Sequence, residues 1–107
     1  MSTVPKAEIL SLAEMVSYQA GAVVSRQIIK AEAGNVTLFA FDVDQELSEH
    51  TAPFDALVHV LDGEAEITIS GNPFHLKTGD AIIMPADEPH AVRAISPFRM
   101  LLTMIRK

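Results

Sequence analysis

The chain has 107 residues and a mass of 11.6 kDa, is 49% hydrophobic and 21% charged, and carries no cysteine, no tryptophan and a formal net charge of -6. That length makes one domain able to bury roughly 60 to 70% of the surface its unfolded form exposes, so two domains are excluded and no disulfide or structural metal is needed to hold a core. The missing cysteine removes zinc fingers, iron–sulfur clusters and thiol nucleophiles, and fourteen acidic against eight basic residues leave no field to attract nucleic acid or an anionic membrane surface.

In chain order, residues 1–20 read as an N-terminal extension. Ile9, Leu10, Leu12, Ala13 and Val16 recur at three- and four-residue intervals, which predicts one short amphipathic turn or helix over Glu8 to Val16, ended by Gly21. One lysine and two glutamates around this broken pattern do not make a signal peptide. No apolar run nears the roughly 18 residues of a membrane span, and a cytoplasmic protein is expected.

Beyond Gly21, alternation and turn residues dominate. Strands are predicted at Ala22 to Lys30 and Asn35 to Val43, joined by the Ala33-Gly34-Asn35 turn. Ala56 to Leu61 is apolar on both faces apart from His59, and Asp62-Gly63 after it is the strongest hairpin signal in the chain. Further strands follow at Glu64 to Ser70, Phe74 to Lys77, Ala81 to Met84, His90 to Ala94 and Phe98 to Ile105, with turns at Gly71-Asn72-Pro73 and Thr78-Gly79-Asp80. Short strands at such regular spacing predict an all-β sandwich or barrel. Several are apolar on both faces, so a second surface must be covered, by the N-terminal segment or by a partner chain; a homodimer is the expectation.

The remaining chemistry falls to four histidines and the carboxylates. His75 reads as an ordinary surface residue and His59 as a packed, hydrogen-bonded one. Eight carboxylates between Asp42 and Glu66, with no lysine or arginine among them, read as a solvated rim. The methionines at 84, 100 and 104 read as core filler rather than a soft-metal site.

His50 and His90 have distinctive surroundings. His50 precedes the double-sided strand and Gly63, and His90 closes the run Gly79-Asp80-Ala81-Ile82-Ile83-Met84-Pro85-Ala86-Asp87-Glu88-Pro89-His90. Together the two runs resemble the paired motifs of small single-domain cupins, over most of residues 35–105. The resemblance implies a double-stranded β-helix or jelly-roll barrel filling residues 1–107 as one domain. Gly79, Pro85 and His90 fit the second motif, with Asp87 where a glycine is common. In the first motif, counting back from Gly63 places one family histidine at His50 but leaves Ala52 and Ala56 where a second histidine and a carboxylate stand. Of four family metal ligands, only His50 and His90 remain. Asp55 lies one residue from the lost carboxylate position, and alternation turns it to the opposite face.

Two functional expectations follow. In the first, a barrel pocket near His50, His90, Val58, Val60 and Met84 binds a small polar ligand, directly or around one divalent transition-metal ion held by His50 and His90. In the second, the chain is a non-catalytic binding or sensor module with a degenerate pocket, and its dimer surface is the working part. The architecture itself selects no reaction.

Overall fold

The computed structural model describes residues 4–107. Nine strands make up the barrel: β1 (Val23–Ala31), β2 (Gly34–Phe41), β3 (Glu46–His50), β4 (Phe54–Asp62), β5 (Glu64–Ile69), β6 (Asn72–Lys77), β7 (Ala81–Met84), β8 (His90–Ala94) and β9 (Phe98–Arg106). They form two antiparallel sheets, ordered β1-β2-β9-β4-β7 and β3-β8-β5-β6. Alternation decides which side chains go inside. Ala56, Val58 and Val60 of β4 are buried, as are Phe98, Met100 and Leu102 of β9, and they meet Ala65, Ile67, Leu76, Val92 and Ala94 from the other sheet in one core. Phe41 and Phe98 stack at its centre, ring centroids 4.6 Å apart. Each fully buried side chain of this size contributes about 1.5–3 kcal/mol, so the interior layer holds the two sheets together.

Three features sharpen or differ from the sequence reading. First, of the turn or helix expected over Glu8 to Val16, the N-terminal extension forms the turn, a single 3-10 turn at Leu12–Glu14. So short a segment cannot offset the cost of nucleating an α-helix; it gains burial instead by lying on the outer face of the five-stranded sheet. There Val16 is buried against Leu38 and Ala40, with Leu12, Met15 and Tyr18 around them. A polar latch fixes it. Arg99 Nε donates to the Val16 carbonyl at 3.0 Å and Nη1 pairs with Asp62 Oδ2 at 2.7 Å, while the Tyr18 hydroxyl donates to Asp62 Oδ1 at 2.7 Å. The guanidinium also lies 4.2 Å from the Tyr18 ring centre. Burial, then the hydrogen bond to the Asp62 carboxylate, pushes the Tyr18 phenol up to about 12.

Second, Asp62-Gly63 is a corner between sheets rather than a hairpin: β4 pairs with β7 and β9, and β5 with β6 and β8. Gly63 has φ +86, and a Cβ there would sit 2.2 Å from the Pro97 carbonyl oxygen. Glycine is needed for both reasons. The tight hairpin is at Ser70-Gly71, where Ile69 faces Asn72 and both loop residues have positive φ (48 and 82). Third, β3 was not expected as a strand, because Glu46-Leu47-Ser48-Glu49-His50 has a single apolar residue. No helix among the described residues is long and apolar enough to cross a membrane.

Candidate functional site

The site begins at the edge strand β3. Leu47 faces Val92 of β8 and His50 faces His90, with a register irregularity between them, so Ser48 and Glu49 stand against Ala91 alone. This extra residue matters. Strict alternation from Leu47 would turn His50 to the outside; the bulge returns it to the inner face, opposite His90. The loop carrying His90 is pinned on both sides. The Asp87 and Ala86 amides donate to the Ala52 carbonyl (2.8 Å) and to Asp55 Oδ1 (2.9 Å), and the Ser70 hydroxyl donates to Glu88 Oε1 (2.8 Å). Asp87 has φ +66, a left-handed conformation that a glycine would adopt without strain and that aspartate tolerates better than most residues.

The two imidazoles meet edge to face. Their Nε2 atoms are 3.2 Å apart and their ring centroids 4.4 Å. His50 Nδ1 lies 2.7 Å from the Ser48 carbonyl and His90 Nδ1 3.1 Å from the Glu88 carbonyl. A carbonyl only accepts, so each Nδ1 carries a hydrogen and donates it. In the neutral rings both Nε2 atoms are then bare lone pairs facing each other, a repulsive arrangement unless a proton or a metal ion sits between them. Only His90 is buried, with 6% exposure; His50 stands at the mouth. Burial holds the His90 imidazole below the ordinary histidine range, and charge on His50 adds to that effect. The hydrogen bond to Glu88 opposes it.

Behind the pair is a cavity of about 50 Å³, lined by Ala52, Phe54, Ala56, Val92, Leu102 and three methionines, 84, 100 and 104, besides Leu47 and the histidines. One water occupies about 30 Å³ of liquid, so the space admits an ion or a molecule of a few atoms. Met84 lines it, but Val58 and Val60 do not: both are fully buried in the core. They were expected at the pocket because they share the inner face of β4, yet the strand carries them past the cavity, and Ala56 forms that part of the wall. Phe41 is fully buried in the core and Phe39 packs against it. Asp55 faces outward and braces the β7–β8 loop. His59 is half-buried on the outer face of β4, and His75 is exposed on β6, 3.4 Å from Glu64. The acidic rim gains a cation that sequence distance concealed. Arg93 reaches to within 3.7 Å of Asp44 and 3.8 Å of Glu66, beside a groove edged by Glu46 and Glu49. These exposed pairs are worth little.

Residues 37–105 match the family model described as the cupin domain. The chain belongs to the cupin family. Solved structures agree over nine-tenths or more of the chain. A conserved protein of unknown function from Streptococcus pyogenes is 34% identical with a TM-score of 0.92, covering 100% of this chain and 96% of its own. A cupin superfamily protein from Desulfitobacterium hafniense is 26% identical with a TM-score of 0.91, covering 99% and 97%. A cupin 2 conserved barrel domain protein from Leptotrichia buccalis is 40% identical with a TM-score of 0.88, covering 91% of this chain and 47% of its own. No curated protein matches the chain.

The cupin metal set can be tested against these residues. His50, Ala52, Ala56 and His90 all line the one cavity, so the positions converge while two of them offer only methyl groups. Among the described residues, no group of three or more histidine, aspartate or glutamate side chains comes together to hold a metal ion. The fit is therefore two imidazole donors, on Nε2 atoms whose tautomer leaves both lone pairs free.

Proposed function

We propose that this cupin is a small-ligand binding protein whose cavity takes an ion or a few-atom polar molecule on the Nε2 atoms of His50 and His90. The ions that imidazole accepts, first-row transition metals such as zinc, nickel, copper or iron, are the leading class of guest. One observation carries this reading: two Nε2 lone pairs 3.2 Å apart, each ring fixed by its own carbonyl. Two imidazoles bound at 2.0–2.1 Å to one tetrahedral ion keep their nitrogens roughly 3.3 Å apart, close to the spacing found. Water or a small polar molecule completes the shell.

Calorimetric titration of tag-free protein with Zn(II) tests the reading. One ion per chain is expected, lost in His90→Ala. The double variant Ala52→His with Ala56→Glu restores two more donors and is expected to bind far more tightly. Stoichiometry far below one per chain, in the parent and in a folded double variant, would sink the proposal.

A second reading rests on the outer face of the five-stranded sheet. Ile29, Val36, Thr103, Leu57 and Ile83 follow one another in register across β1, β2, β9, β4 and β7. Of these Ile29 and Ile83 are about 60% exposed, like Ile105 beside them. A largely apolar band of this kind, interrupted only by Thr103, supports self-association as a homodimer.

A further inference from the structure

The cavity wall holds a donor type that the two imidazoles do not account for. Met84 of β7 and Met104 of β9 both stand opposite Ala56, one on each side of β4, and both line the cavity together with Met100. Ala56 is small, so it fills little of the space between the two flanking methionines. Where a carboxylate would give a divalent ion a negative, hard oxygen, this wall gives the neutral, polarisable thioethers of Met84 and Met104, with Met100 farther along, opposite Val60 and fully buried.

That exchange changes which ion is favoured. A divalent ion on two neutral imidazoles keeps its full charge, and the rest of the cavity wall is apolar side chains and thioethers, with no anionic group to offset it. The cost of burying charge rises with its square, so a monovalent ion suffers far less in the same wall. Thioether and imidazole together are a donor set for soft copper, which also accepts low coordination numbers. We infer that the cavity is a Cu(I) site, with His50 Nε2, His90 Nε2 and at least one thioether of Met84 or Met104 as ligands. The inference rests on the reading of the histidine pair as an ion site and specifies the ion.

The test is an anaerobic titration in which the protein competes with bicinchoninate for Cu(I), run beside a Zn(II) titration. The protein is expected to withdraw one Cu(I) per chain. The double variant Met84→Leu with Met104→Leu conserves volume; it is expected to lose roughly tenfold or more in Cu(I) affinity, a larger loss than in its Zn(II) affinity, with the barrel retained by circular dichroism. X-ray absorption at the copper edge is expected to show a sulfur neighbour in the parent and none in the variant. Equal Cu(I) affinity in parent and double variant, or an all-nitrogen copper shell, overturns the assignment. If Zn(II) binds one per chain and Cu(I) stays with the chelator, the copper site falls and the imidazole pair stands. If neither ion binds, both fall.

Discussion

At the scale of single residues, the facing Nε2 atoms of His50 and His90 offer one place that a proton and a metal ion would compete for. Both Nδ1 hydrogens are committed to carbonyls, so an incoming ion must displace whatever proton the two Nε2 atoms share. Zn(II) binding measured in buffers of different pH and ionisation enthalpy is therefore expected to weaken, and to release more protons per ion, as the buffer is made more acidic. Binding independent of pH would mean that the ion does not sit on the Nε2 atoms. The Tyr18 phenol gives a second prediction. Its folded value of about 12 lies above the ordinary 10.0, so the folded state holds this proton more tightly than the unfolded chain. The sign follows from linkage: its contribution to stability is complete below pH 10 and is lost as pH rises from 10 towards 12. The chain has one tyrosine and no tryptophan, so phenolate absorbance reports this group alone. A midpoint near 12 is expected, returning towards 10 in Asp62→Asn; a midpoint near 10 in the parent would show that the latch does not form. None of this latch was legible in the sequence, because Arg99 meets Val16 across 83 residues and neither lies in a motif. The histidine pair was legible, through motif spacing, but the tautomer that makes it interesting needed the carbonyl positions.

At the scale of elements, β3 and the Gly63 corner show where pattern reading stops. The strands with strong alternation were found with small errors at their ends, and β7 and β8 with none. β3 escaped because an edge strand with one buried side chain has no periodicity to detect, and its bulge breaks what little there is. Asp62-Gly63 has the composition of a two-residue hairpin, but composition records only that a positive φ is needed, and a corner between sheets needs one too. Gly63→Ala is accordingly expected to cost about 2 kcal/mol or more, since strain at φ +86 adds to overlap with the Pro97 carbonyl. Gly71→Ala has the same strain and open space around the added methyl, so it is expected to cost less. Denaturant midpoints of the two variants check the difference, and equal losses would mean that the corner yields at no cost.

For the molecule as a whole, the high apolar fraction has three separate destinations: the layer between the sheets, the patch beneath the N-terminal segment, and the band left open on the same outer face. The sequence showed that strands such as Leu57-Val58-His59-Val60-Leu61 had two faces to bury, but it could not divide the second face between a covering segment and a partner. The covering segment protects only the half around Leu38 and Ala40, which are fully buried. Leu57, Ile83 and Ile105 lie on the other half, 40%, 61% and 60% exposed. If a second copy covers them, light scattering at micromolar concentration returns a dimer, and the pair Ile83→Glu with Ile105→Glu converts it to a monomer. Both side chains are exposed in the single chain, so the new charges cost the monomer's own fold little, and like charges repel across a two-fold interface. The expected result is thus loss of the dimer with the barrel retained by circular dichroism. A parent protein that is monomeric at these concentrations would remove the dimer reading and leave the band without a partner.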